Sequence, residues 1–354
     1  MLNSQIYMRL LALAILAAAS TGALCQSVKA TAAADTKTAL AGNSMKSPAS
    51  ALAAAWPTKP IRLLIGFPPG SVQDLSARAF SEALATALGQ PVIVENKAGA
   101  SGTIAADQVA KSTDQHTFGV MNNSQLTIAK LLNPAAPYDP AKDLAPIALI
   151  GTTPLVLVVS NAAPGNNSQD WMTWLRNLGD KGNYGSPGAG TPGHLGMELI
   201  KSRSGGLATV HIPYPGNPQI ITAMLGGQLQ AALLPPGLAM QQVHAGKMKA
   251  VGVTSEKRSL LASEVQTLRE AGILGADVEL FTALAGPSSL PTPIRDKLSA
   301  ALIEVIKTDA TRQRLITVGW QPAPSTAEGL AVRIRNDTRS MGGIILLRGI
   351  KATS

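Results

Sequence analysis

Residues 61–74, IRLLIGFPPGSVQD, constrain the fold of this chain more than any other stretch. Ile61, Leu63, Leu64 and Ile65 make a short apolar run, as expected of a strand buried in a parallel sheet. Gly66-Phe67-Pro68-Pro69-Gly70 ends it, because two prolines and two glycines cannot carry a ladder onward. Residues 71–87 then place Leu75, Ala79, Ala83 and Ala87 on one face of a helix. A strand, a tight loop and a helix start, in that order, aim free N–H groups and the positive end of the helix dipole into the loop. That arrangement makes a seat for an anion. Any α/β protein has such turns, so the stretch alone does not separate a binding loop from a structural one.

The alternation continues along the chain. Strands at 91–95 and 117–121 flank a helix at 103–111, and Asn122-Asn123-Ser124 closes the third strand. Strands alternating with helices imply parallel βαβ units, and open sheets of that kind bind ligands beyond the carboxyl ends of their strands. Loops 66–74 and 122–124 therefore face one crevice. Apolar strands follow at 144–151 and 155–160. The helix at 171–178 carries Trp171, Trp174, Leu175 and Leu178 as a core stripe. Residues 183–186 enter Pro187-Gly188-Ala189-Gly190-Thr191-Pro192-Gly193, and His194 opens the next helix. This loop has the glycine spacing of a dinucleotide fingerprint but lacks its acid, since 199–255 hold no Asp or Glu. The same acid-free segment contains Lys201, Arg203, Lys247 and Lys249, a balance that suits an anionic ligand. Further strands are expected at 209–212, 229–234, 250–254 and 278–285, and helices at 218–225, 239–245, 293–307, 309–315 and 327–342.

The chain has 354 residues and 45% hydrophobic content, enough for one large or two moderate domains. The formal charge is +9, yet the Lys and Arg residues are scattered without interleaved aromatics, which argues against a nucleic-acid groove. Arg9 precedes an apolar run at 10–19, the form of a signal peptide too short to span a bilayer comfortably. Residues 1–25 are read as that signal and 26–55 as a disordered Ala-rich leader. The expected location is the periplasm. Cys25 is the sole cysteine, and Leu24 before it is a poor fit to lipoprotein processing, so a lipid anchor is not expected.

The residues resemble a known family. Trp56-Pro57-Thr58-Lys59-Pro60, the apolar strand, and Phe67-Pro68-Pro69-Gly70-Ser71-Val72-Gln73-Asp74 resemble the opening of the Bug-type solute receptors, the binding components of tripartite tricarboxylate transporters. Gly89-Gln90-Pro91-Val92-Ile93-Val94-Glu95-Asn96, Pro137-Tyr138-Asp139-Pro140, Pro213-Tyr214-Pro215-Gly216, Leu225-Gly226-Gly227-Gln228 and Ala245-Gly246-Lys247 match in order and spacing, from Trp56 onward. The resemblance implies an α/β fold of two lobes, a periplasmic binding protein of the Venus-flytrap type II class. Each lobe is expected to be a mainly parallel sheet flanked by helices, with a two-segment hinge. Lobe 1 would comprise 56–157 and 283–354, and lobe 2 would comprise 158–282. The resemblance further implies delivery of a small organic acid to a membrane permease, by a protein acting as a monomer without a cofactor.

On this reading a carboxylate sits on the backbone N–H groups of Gly70 and Ser71, walled by Phe67 and Pro69. Ser71 and Gln73 add side-chain donors. Asp74 reads either as a first-turn acid complementing the dipole, which is favoured, or as a contact. Asn122, Asn123 and Ser124 match the family's polar loop. From the other lobe, Ser186, Gly190, Thr191 and His194 present donors, and Tyr214 and Asn217 close the site. Two departures from the family pattern bear on the ligand. Ser71-Val72-Gln73 replace small residues beside the seat. Leu233-Leu234-Pro235 stand where many members carry Phe-Asp-Asn, so Leu234 replaces an acid that could hold an ammonium or a hydroxyl. The expected ligand is an acid without an amino group, partly apolar.

Catalysis has less support. None of the four histidines pairs at metal-ligand spacing, no Gly-x-Ser-x-Gly elbow occurs, and no Walker lysine follows Gly70. The alternative function is a secreted esterase or amidase using a dispersed Ser/His/Asp set; a surface adhesin has no supporting motif.

Overall fold

Local chemistry sets the element boundaries. The apolar run makes β1 (Ile61–Ile65), and the loop after it ends at Ser71, the N-cap of α1 (Val72–Leu88). Ser71 Oγ accepts the Asp74 N–H at 3.4 Å, and Gly89, at φ 71°, closes the helix in the left-handed conformation. The computed structural model describes residues 53–350; the expected signal peptide, with Cys25, and all but the last three residues of the leader lie outside them. Strands follow as β2 (Val92–Asn96), β3 (Thr117–Asn122), β4 (Leu144–Pro154), β5 (Val156–Ser160), β6 (Asn183–Ser186), β7 (Val210–Pro213), β8 (Ala231–Leu234), β9 (Met248–Val253), β10 (Glu279–Pro287) and β11 (Gln321–Ser325). Between them run α2 (Thr103–Ala110), α3 (Ala129–Leu132), α4 (Pro140–Asp143), α5 (Ser168–Leu178), α6 (Pro192–Arg203), α7 (Asn217–Leu225), α8 (Pro236–His244), α9 (Thr292–Lys307) and α10 (Asp309–Thr317), with α11 (Ala327–Arg348) last.

The strands form two sheets, one ordered β11-β4-β10-β3-β1-β2 and the other β7-β6-β8-β5-β9. Both are mixed, which corrects the expectation of mainly parallel lobes. Only β2-β1-β3 and β7-β6-β8 pair in parallel. β10 runs against β3 and β4, β11 against β4, and β5 against β8 and β9. The cause lies in the connections. A helical crossover returns the chain to run parallel. The strands that carry the chain between lobes have no such crossover, and they enter the new sheet from the opposite end.

Helices cover both faces of each sheet. Phe80, Phe118, Leu298 and Trp320 fill one side of the first sheet, and Tyr138, Phe281 and Leu330 the other. In the second sheet Leu175, Tyr184 and Ile200 lie on one side, and Ile220, Leu234 and Met240 on the other. Trp171 and Trp174 are half-buried against the first of these cores, as a core stripe requires.

The two passages between lobes meet at one side chain. β4 and β5 are separated only by Leu155, whose N–H donates to Thr254 Oγ1 at 2.8 Å. The same hydroxyl donates to Val278 O at 2.6 Å, on the segment leading into β10. Thr254 N–H donates to Leu155 O, and Val278 N–H to Thr254 O, so the three backbones are laced together. α11 adds a third link: Leu330 belongs to a core of the first sheet, whereas Met341 and Ile345 pack into a core of the second.

Candidate functional site

The strand ends and the loops after them meet in a cleft between the lobes. The cleft is closed. Ser101 Oγ, on the loop after β2, donates to Ala189 O at 3.0 Å on the loop after β6. Gly188, at φ 121°, packs so tightly on Ser101 that a Cβ would collide with its Oγ. Two cavities lie inside. The smaller, about 20 Å³, is bounded by Val72, Gln73, Asn122, Thr191, Asn217 and Leu233, among others. The larger, about 660 Å³, extends toward the loop 99–104 and the segment 124–137. Phe67 and Pro187 line both.

The glycine of the first loop does not offer its amide to the cleft. Gly70 N–H donates to Asp74 Oδ2 at 2.9 Å, and Ser71 N–H to Pro68 O at 3.1 Å. Both amides proposed as the seat are therefore spent within the loop, which corrects that expectation. Asp74 is a structural acid: its carboxylate also takes Asn96 Nδ2 and Arg78 Nε, each at 3.0 Å. Burial opposes its ionisation, but the bonds from Arg78, Gly70 and Asn96 outweigh it and hold its pKa below the ordinary value. The donors that face the small cavity sit one position further on. The N–H groups of Val72 and Gln73 make no hydrogen bond among the described residues, and neither does the Gln73 carboxamide. Pro69 lines neither cavity.

The polar segment after β3 divides. Asn122 faces the small cavity; its Oδ1 accepts the Ser124 N–H at 2.9 Å, which turns its amide NH₂ outward as a donor. Asn123 is fully buried and clamps the fold, accepting Phe281 N–H at 3.0 Å and donating to Asp337 Oδ2 at 2.6 Å. It is not part of the cleft. Ser124 lines the large cavity and opens a π-helical turn, Ser124–Ile128, not the loop expected there.

In the second lobe Thr191 and Gly193, at the start of α6, face the small cavity. Thr191 Oγ1 is tied to Gly188 O at 2.8 Å. Gly190 N–H donates to His194 Nδ1 at 3.0 Å, so that imidazole shapes the loop. His194 stacks on His211 with centroids 4.0 Å apart, and both rest on Tyr184. Burial lowers His194 to about 4 and His211 to about 3, so both rings are neutral at pH 7. Ser186 Oγ lies 2.6 Å from His211 Nε2, the separation of a nucleophile and its base. Yet Ser186 is fully buried, lines neither cavity and also donates to Gly188 O, so this pair builds the loop. Asn217, at the start of α7, faces the small cavity, and Tyr214 lines the large one.

The basic residues of the acid-free segment do not reach either cavity. Lys201 pairs with Glu198 at 2.7 Å, and Lys249 caps Ala163 O at 2.6 Å. Leu234 also lies outside: it pairs with Val156 in the core, and the apolar lining comes from Leu233 and Pro235. Sequence reasoning did not assign the loop 99–104 to the site. Its signal was its place at the carboxyl end of β2, reinforced by Ala100 and Ser101 at φ 47° and 53°.

Such a fold, with a cleft between two lobes closed on polar loops, is that of the periplasmic solute-binding proteins. The family model described as the tripartite tricarboxylate transporter family receptor, TctC, matches residues 76–350. A UPF0065 protein of Bordetella pertussis is 33% identical over 303 residues, 85% of this chain and 93% of its own. The solved structure of the periplasmic binding protein BugD superposes with a TM-score of 0.79 at 26% identity, covering 84% of this chain and all of BugD. An R. palustris protein solved with adipate superposes at 0.80 with 25% identity and the same coverage. The chain belongs to the tripartite tricarboxylate transporter family of receptors.

Proposed function

We propose that this protein is an extracytoplasmic receptor that binds a small carboxylate in the interlobe cleft and delivers it to the membrane permease of a tripartite tricarboxylate-type transporter. The observation that carries this reading is the set of uncommitted donors around the small cavity: the Gln73, Asn122 and Asn217 carboxamides, with the Val72 and Gln73 amides of α1 and the Gly193 amide of α6. Two helix starts facing one point favour an anion there without any cationic side chain. Charge-assisted hydrogen bonds are worth about 1.5–3 kcal/mol each. Four or five, offset by ordering and desolvation, reach about −8 kcal/mol, or micromolar affinity. The relative solved with adipate supports the ligand class.

Closure brings Ser101 onto Ala189 and Thr191 opposite Gln73, so the second-lobe donors join only in the closed form. A permease that recognises that form reads occupancy. The moving parts would be 56–157 with 283–354 against 158–282, working as a monomer without cofactor or metal. Export through the N-terminal signal would place the protein outside the cytoplasmic membrane, and no helix among the described residues is long and apolar enough to cross one.

Thermal-shift titration of the purified protein against organic acids tests this. One acid class should raise the Tm in proportion to its logarithmic concentration. No shift with any acid, or ester turnover abolished by Ser186→Ala, would overturn it.

A further inference from the structure

The two cavities abut at Phe67 and Pro187, and both are lined mainly by apolar groups. The small one adds the carboxamides of Gln73, Asn122 and Asn217 and the Thr191 hydroxyl. The large one is walled by Ile104, Ile128 and Leu132, with Thr103, Asn133 and Tyr214 among its polar groups. Among the described residues no Lys or Arg lines either cavity, and Asp107 is the one charged residue on the large cavity. Lys111 pairs with it at 2.7 Å but is 66% exposed, so solvent screens the pair and the wall remains acidic. Ser124 is only 4% exposed, and its Oγ has no partner among the described residues.

We propose that the ligand is a monocarboxylate with an uncharged, largely apolar body: the carboxylate occupies the smaller chamber and the body fills the larger one. The inference rests on the receptor reading and goes beyond it in naming the class. An apolar body gains from leaving water for these walls. A second carboxylate would find no Lys or Arg among the described residues that line the chamber, and would face Asp107 across the space. A hydroxyl or other neutral donor on the body is tolerated, because Thr103, Asn133 and Tyr214 line the same space.

Calorimetry with matched acids tests the inference on the purified protein: the straight-chain monocarboxylates from butanoate to octanoate, each against the dicarboxylate of equal length, and cyclohexanecarboxylate against 1,4-cyclohexanedicarboxylate. The one-acid member of the best-binding pair should bind at least about tenfold more tightly, the scale of one uncompensated polar burial. Asp107→Asn should narrow that ratio several-fold by strengthening the diacid alone, with the Tm of the free protein confirming that the variant folds. A dicarboxylate, adipate included, that binds as tightly as its one-acid partner overturns the inference and leaves the receptor reading intact. Silence from every acid overturns both.

Discussion

The loop between β1 and α1 and the loop between β6 and α6 solve one problem with different chemistry. Each follows a strand, turns through proline and glycine, and delivers a helix start to the cleft. Each also spends its most conspicuous residues on holding itself together. In the first loop the tie is a charge: Asp74 gathers the Gly70 amide, Asn96 and Arg78. In the second it is neutral: His194 takes the Gly190 amide, and His211 holds Ser186. Asp74, His194 and His211 line neither cavity, whereas Gln73 on one side and Thr191 on the other line the smaller one, where the ligand carboxylate is proposed to sit.

Removing the charged tie should have the largest effect. Asp74→Ala orphans the Gly70 amide and Asn96 and should cost about 3 kcal/mol in urea unfolding, since bonds to a buried charge are lost together. An unfolding curve within 0.5 kcal/mol of the parent, about the scatter of an ordinary surface change, would erase the distinction drawn between the loops. His194→Ala should cost less, about 2 kcal/mol, through the unpaired Gly190 amide and the lost ring stack.

Acid separates the two ties. His194 and His211 stay neutral in the fold to about 4 and about 3, against 6.5 in the free side chain. Below pH 6.5 the unfolded chain takes up protons that the native loop refuses, so stability is full above that pH and declines steadily toward pH 4. Asp74 behaves oppositely. Its carboxyl is lowered from 3.8, so its contribution persists through that window and is lost only as pH falls below 3.8. A Tm measured from pH 8 to pH 3 should therefore fall in two stages, and His211→Phe should shrink only the first.

The inward-facing residues should give the smallest change in stability and the clearest change in binding. Gln73→Ala and Asn217→Ala each remove one donor, worth about 1.4 kcal/mol or about tenfold in Kd by calorimetry. If either variant unfolds more readily than His194→Ala, the division between ties and ligand donors is drawn in the wrong place.

Much of the architecture was legible in advance, because periodicity and punctuation are local. The strand at 61–65, the helix beginning at 71 and the loop after 186 fell where apolar runs meet proline and glycine, although α6 starts at Pro192, two residues before the helix start expected at His194. Strand direction was not legible. β5 and β10 run against their neighbours because of where the chain crosses between lobes, which no window of residues encodes. The same limit governed the site. Gly70, Asp74, Asn123 and Ser186 look like ligand groups from their types, but the partner of an amide or a carboxamide is set by tertiary neighbours such as Asn96, Phe281 and His211. Gln73, Asn122, Thr191 and Asn217 were singled out in the sequence and line the smaller cavity, since helix starts and strand ends point into a crevice by geometry alone.

The hydroxyl of Thr254 fastens both strand passages, and α11 ties the two lobes a second time through Leu330 in one core and Met341 and Ile345 in another. A door held at two places turns about the line that joins them, so any opening would have to bend or carry α11 along with it.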